Sequence, residues 1–482
     1  MRLLALLSVF VLSLSMAGAA PVVPFEQPKD WDSQIKLREA VDLNPDPSIV
    51  EINLEARVAR TRISATQEVE AWTYDGGLPG PLIRINVGAR LIVHFTNRLP
   101  KGTTVHWHGI RVPIEMDGVP GISQPEVLPG ESFTYSFIVP DAGLFWYHPH
   151  VQSAMQVGNG LYGALLVEDP AEPVPPMDQL VLVLSDIGVE KDGSLSAPDS
   201  GGSTGMAFGR EGNVLLVNGR NEPTLMARPG ALQRWRIVNT AKSRYFAMML
   251  GEKTTFTKIG GDGGLQEFPT RLDILVLAPG ERADVIVAPL ARQETEATAL
   301  NMLFNRGYGS VEYRSLDPMF KIAASGKPES QSVAVPDVRR TIPALVKDGA
   351  TPVQLELNIT QAGRNGAFAY DINGQPFERA IPLKAKLGET QLWTVKNTTP
   401  WSHPLHIHGY FFQVLDEKGE VAHPIEWKDT VSVPFKETLR LLVRFDERPG
   451  QWMVHCHILD HAEGGLMTTI IVGDAAAKPH SH

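Results

Sequence analysis

The sequence predicts an all-β protein of three consecutive β-sandwiches, on three observations. Alternation of apolar and polar residues dominates: "LIRINVGARLIVHFTN", "LQRWRIVN", "ADVIVAP" and "LRLLVRF" each read as strands with one buried face, and helical spacing is scarce. Forty-three glycines and thirty-seven prolines supply the turns that many short strands need. A turn glycine followed by an alternating strand that closes on asparagine occurs three times: "NVGARLIVHFTN" (Asn86 to Asn97), "RPGALQRWRIVN" (Arg228 to Asn239) and "KLGETQLWTVKN" (Lys386 to Asn397). Each is echoed further on, by "LPGESFTYSFIV", "APGERADVIVA" and "PFKETLRLLVRF". The intervals between copies are those of whole β-domains rather than solenoid units, which points to triplication.

Taken in order, the chain opens with a basic residue (Arg2), an apolar run from Leu3 to about Met16 and the small-residue triplet Ala17-Gly18-Ala19. Residues 1–19 are therefore expected to be a Sec-type signal peptide, with no twin arginine and no lipoprotein cysteine, and the mature protein to be periplasmic or secreted without a membrane anchor. The first sandwich is expected over residues 45–170, closed by the Pro-rich joint "DPAEPVPPMD". The second is expected over 176–325 and contains a long Gly/Ser segment, Gly193 to Asn213, that is either mobile or a lid. A polar joint, "SGKPESQSVAVPD", leads into the third, over 338–474.

A formal charge of −10 argues against nucleic acid and anionic membrane surfaces as partners. Exported proteins usually pair their cysteines, but this chain has one, Cys456, so it cannot form an internal disulfide. Ten of the fourteen histidines fall in four clusters: "HWHG" (His106, His108), "HPH" (His148, His150), "HPLHIH" (His403, His406, His408) and "HCHILDH" (His455, His457, His461). The first and third repeats hold two clusters each and the middle repeat none. On a strand, residues i and i+2 share a face, so each H-x-H presents two imidazoles side by side. In "HCH" the same rule sends Cys456 to the face opposite His455 and His457. A thiolate with two imidazoles is the trigonal blue-copper set. Cys456 and His461 fit it, with His403 as the third member.

The four motifs, in order, and the "LAPGERADVIV" segment resemble those of multicopper oxidases with three Greek-key cupredoxin domains, of the laccase-like bacterial kind, over nearly the whole mature chain. The resemblance implies four copper ions. His403, Cys456 and His461 would hold type 1; His106 and His406 would hold type 2; His108, His148, His150, His408, His455 and His457 would hold the type 3 pair. It also implies four one-electron oxidations of a reductant at type 1 and reduction of dioxygen to water at the trinuclear cluster. The cluster would lie between the first and third domains, with the middle one as a spacer, and a monomer is expected.

Family spacing, Cys-x4-His-x4-axial, lands on Leu466, a side chain that cannot coordinate and should raise the type 1 potential. Gly464-Gly465 would have to bulge to bring Met467 in instead. Asp117 stands where the family has a cluster-proximal aspartate, and Glu463 and Asp460 are candidate proton relays, since the position after His461 is Ala462. His94, His423, His480 and His482 read as structural, loop or tail residues. The thirteen methionines are scattered, which favours phenols or other small aromatic reductants over Cu(I); Fe(II) and Mn(II) remain alternatives. A non-catalytic copper-binding role is disfavoured by the full set of eleven ligands.

Overall fold

The computed structural model describes residues 35–251, 254–307, 316–362 and 367–478; the expected signal peptide, His480 and His482 lie outside them. Among the described residues, strands form six sheets, and α-helix is confined to α1 (Ser153–Gly158), α2 (Gly202–Phe208) and α3 (Leu459–Glu463). The sheets pack in pairs as three sandwiches. In the first, a sheet containing Ile49–Arg62, Glu68–Tyr74, Arg90–Asn97 and Ser132–Ile138 covers one containing Ile83–Asn86, His106–His108, Gly143–His148 and Gly163–Glu168. Leu91, Val93 and Phe95 alternate into a core completed by Ile83, Ile85, Phe145 and Tyr147 of the facing sheet. The middle sandwich pairs a six-stranded with a five-stranded sheet, and the third pairs two five-stranded sheets.

The threefold repeat has a physical cause. Arg90–Asn97, Gln233–Asn239 and Thr390–Asn397 each lie parallel to the first strand of their sandwich and antiparallel to a later one. Gly88, Gly230 and Gly388 turn the chain into them at φ +83°, +80° and +72°, a region L-residues with a side chain avoid. The closing asparagines are buried and tie loops to the sandwich. Asn97 Nδ2 donates to the carbonyls of Lys101 and Val127, both at 2.8 Å, Asn239 to Arg244 and Leu277 at 2.8 and 2.9 Å, and Asn397 to Trp401 and Val433 at 2.7 and 3.1 Å. An amide that satisfies two buried carbonyls at once is not replaceable by an apolar residue of similar size.

Two expectations are refined. "LIRINVGARLIVHFTN" is two strands, Ile83–Asn86 and Arg90–Asn97, in opposite sheets, because the Gly88 turn falls between them. The Gly/Ser segment contains α2, which docks on the third sandwich: the Tyr370 hydroxyl donates to Ala207 O at 2.7 Å.

Candidate copper centre

The histidine motifs lie where the first and third sandwiches meet. His106–His108 is an edge strand paired antiparallel with Gly143–His148, which sets His106 opposite His148. His403–Ile407 pairs with Gly450–Cys456, setting His406 opposite His455 and Leu405 opposite Cys456. Strand alternation thus carries His455 toward the interface and Cys456 into the apolar core of the third sandwich, among Leu405, Ile407, Ile458 and Leu466.

The eleven expected ligands are all buried, and the structure gathers them into sets whose ligand atoms lie within 4.8 Å of one another. One set is His403, Cys456 and His461. Two triads, His108-His148-His457 and His150-His408-His455, divide the six expected type 3 residues, and each triad draws on both sandwiches. His106 and His406 group with His108. In the cysteine set, Sγ is 3.5 Å from His403 Nδ1 and 3.9 Å from His461 Nδ1.

Hydrogen bonds decide which nitrogen each imidazole offers. His106 Nδ1 donates to the Asp117 carbonyl at 2.7 Å, His406 Nδ1 to the Asp429 carbonyl at 2.9 Å and His148 Nδ1 to Pro149 O at 3.0 Å. His108 does the reverse, donating Nε2–H to Asp429 Oδ1 at 3.1 Å. This leaves His106 Nε2, His406 Nε2, His148 Nε2, His108 Nδ1 and both nitrogens of His457 buried with no hydrogen-bond partner. Unpartnered buried nitrogens are costly, and here they converge. A cluster of inward imidazole lone pairs, four of the five rings anchored from behind through the other nitrogen, is the donor set a copper ion satisfies.

Electrostatics agree. Burial, reinforced by neighbouring imidazoles, holds His108, His148, His408, His457 and His461 well below the usual imidazole range, so these rings are neutral, as metal ligation requires. His403 is lowered to about 3 by burial and the Arg306 charge. Burial pushes the Cys456 thiol far up, so metal entry there must displace a proton.

The candidate acids separate. Asp117 is buried against the cluster, with Oδ2 accepting from His408 Nδ1 at 2.9 Å. Glu463, on α3, accepts from Ala154 N at 2.8 Å, and burial raises its carboxyl. It lines a cavity of about 500 Å³ that also reaches His150, His455, Glu126, Glu378 and Met467. Asp460 faces elsewhere, engaged by Arg210, by Ser243 Oγ at 3.3 Å and by Lys242 Nζ at 3.9 Å. Leu466 shares the apolar core of Cys456, whereas Met467 pairs with His455 in register and packs with Met453, Val119 and Phe377. His94 and His423 pair with Glu51 at 2.8 Å and Glu267 at 2.6 Å, away from the cluster.

Asp429 escaped the sequence reading. Burial alone would raise its carboxyl, but Arg282 and His108 hold it well below the usual carboxylate range. The sole sequence signal was a Lys428-Asp429 pair heading the apolar alternation "TVSV".

Three family models, each described as multicopper oxidase, match residues 57–172, 178–298 and 349–476. The chain is 33% identical to the multicopper oxidase MmcO of Mycobacterium tuberculosis over 83% of each protein. It is 27% identical to a laccase of Bacillus subtilis, over 84% of this chain and 90% of the laccase. Among solved structures it is similar to a multicopper oxidase from Campylobacter jejuni titled a metallo-oxidase, with TM-score 0.81 and 26% identity, over 94% of this chain and 96% of that one. Matches on all three sandwiches, around imidazoles already arranged for metal, place the chain in the multicopper oxidase family, four-copper oxidoreductases that use dioxygen.

Proposed function

We propose that this multicopper oxidase is of the laccase type and oxidises phenols or other small aromatic reductants, one electron at a time, at the His403-Cys456-His461 set. Copper, when bound, supplies the one-electron steps there and the four-electron reduction of dioxygen to two waters at the histidine cluster. The observation that carries the substrate reading is the aromatic wall around the type 1 residues. Phe208 stands edge-on to Trp401 at 5.1 Å, Phe304 stacks on Tyr245 at 5.0 Å and Tyr370 stacks on His461 at 4.5 Å. Phe208, Phe304 and Phe368 are only partly buried, so rings reach solvent beside buried imidazoles. The carboxylates on this side serve arginines: Asp460 binds Arg210, and Glu211 binds Arg244 and Arg306. A planar ring finds stacking partners here. In the chain itself, Cys456 is bonded directly to His455 and His457, giving electrons a covalent route to the cluster. Glu463 stands in the cavity that reaches His150 and His455, placed to deliver protons for water formation.

Metal-ion oxidation is the second reading, and one observation favours it. His461 Nε2 donates to Ala207 O at 3.1 Å, so α2 covers the imidazole edge that a ring would otherwise touch. The likeness to the Campylobacter jejuni metallo-oxidase points the same way. The leader-like N-terminus supports action in the periplasm or outside the cell, and we place the enzyme there as a monomer. Steady-state oxygen consumption by the copper-loaded enzyme with phenols, Cu(I), Fe(II) and Mn(II) tests the assignment. Phenols are expected to give the highest kcat/KM; a higher value for any of the ions overturns it.

A further inference from the structure

Among the described residues, the middle sandwich contributes to none of the candidate metal sets, yet one of its turns reaches the cluster. Pro279, Gly280 and Glu281 lie in the turn between the strands Leu275–Leu277 and Arg282–Val287. Gly280 adopts φ +88°, and a Cβ there would stand 3.1 Å from both His108 Cε1 and His457 Cγ. The turn is pressed against two ligands of one triad.

Arg282 comes next, and its side chain is fully buried. Its five guanidinium N–H groups are matched by five acceptors. Nε donates to Leu144 O at 3.1 Å; Nη1 donates to Gly280 O at 3.1 Å and Asp429 Oδ1 at 2.7 Å; Nη2 donates to Asp262 O at 2.8 Å and Asp429 Oδ2 at 2.5 Å. These acceptors come from all three sandwiches. No other side chain offers a planar fork that could serve them together.

Asp429 passes the constraint to the ligands. Its Oδ1 accepts from His108 Nε2 at 3.1 Å and from the Thr430 hydroxyl at 2.8 Å, and its carbonyl accepts from His406 Nδ1 at 2.9 Å. The space beside the pair is closed, since a Cβ at Gly109 would lie 2.5 Å from Arg282 Nη2 and 2.7 Å from Asp429 Oδ2. His108 turns Nδ1 inward where His106, His148 and His406 turn Nε2 inward. The nitrogen an imidazole gives to a metal is set by the bond its other nitrogen makes.

We propose that Arg282 of the middle sandwich is a positioning residue for the trinuclear site: its forked pair with Asp429 fixes His108 with Nδ1 toward His148 and His457. The middle sandwich is then part of the site's construction rather than a spacer.

The test compares copper-loaded Arg282→Lys and Asp429→Asn with wild type. Arg234→Lys is the control: Arg234 is a buried arginine of the same sandwich whose partners are Asp284 and Glu172. Copper per chain, the blue type 1 absorption, the near-ultraviolet absorption of the coupled pair and the EPR spectrum are recorded with oxygen uptake. Both test variants are expected to keep the blue absorption, to lose the near-ultraviolet band, to bind less copper or show more EPR-visible copper, and to consume oxygen about 10–100-fold more slowly. Arg234→Lys is expected to melt earlier with its spectra intact. An unchanged near-ultraviolet band and EPR spectrum in both test variants overturns the proposal. So does loss of blue and near-ultraviolet absorption in step, or the same spectral change in Arg234→Lys, because either marks a general structural role.

Discussion

Along the last residues of Gly450–Cys456, successive side chains enter different chemical surroundings. His455 faces the cluster and its cavity, and Cys456 faces an apolar core that contains Leu466. Because the period is two, Met467, opposite His455, belongs to the cavity side. Leu466→Met is therefore expected to place a thioether beside the type 1 set and lower its potential, measured by redox titration of the blue band. Met467→Leu should leave that potential unchanged. The reverse pair of results would assign Met467 as the axial neighbour. Glu463 gives a second prediction at this scale. Glu463→Gln keeps an acceptor for Ala154 N but cannot deliver a proton, so kcat for oxygen consumption should fall about 100-fold with the KM of the reductant unchanged. An equal fall with Asp460→Asn would show that the Arg210-bound carboxylate also takes part. The sequence distinguished neither acid, since Asp460 and Glu463 flank His461 and only the docking of α3 shows which one meets the cavity.

Elements differ in how far sequence foretells them. The strands bearing the histidines were legible because alternation is local, and an H-x-H on a strand carries its own geometry. The asparagine closing each repeat was legible as a pattern, but its two carbonyl partners were not, since they arrive from other loops. The contact between α2 and the third sandwich had no local signal either: "GSTGMAF" has no apolar face long enough to announce a helix, and its key group is a backbone carbonyl. The cover it makes is nonetheless testable. Replacing Gly201–Ala207 with a shorter Gly/Ser linker, with Phe208 kept as a stacking partner, removes the Ala207 carbonyl from His461 and opens the imidazole edge. The kcat/KM for bulky phenols is expected to rise about tenfold, equivalent to about 1.4 kcal/mol of transition-state free energy, while oxygen reduction itself is unaltered. Unchanged phenol kinetics would mean that electrons already cross α2 efficiently.

At the scale of the whole molecule, copper and the fold are coupled. Arg282 and Asp429 stand 147 residues apart, a pairing that only the docking of sandwiches creates, and the cluster they support draws its ligands from both flanking domains. Without copper, the folded chain buries neutral imidazoles, at that interface and in the His403-Cys456-His461 set, whose protonation is suppressed: His108, His148, His408, His457 and His461 lie well below the ordinary range, and His403 at about 3. The unfolded chain binds these protons near pH 6.5 and the folded chain does not, so between those values unfolding takes up protons. As far as these histidines are concerned, apoprotein stability should therefore be flat between about pH 7 and about pH 8 and fall on acidification, by up to about 1.4 kcal/mol per pH unit for each suppressed histidine. Copper changes the balance, because the folded state then holds a ligand that the unfolded state binds poorly, adding stability as free copper exceeds its dissociation constant. Paired melting curves from about pH 4 to about pH 8, either side of the ordinary imidazole value, check this. The apoprotein Tm should drop steeply below the imidazole range, and the copper-loaded Tm should stay higher until protons displace the metal. An apoprotein whose Tm is insensitive to acid would mean that its histidines already titrate in the folded state, with the interface between the first and third sandwiches open until copper closes it.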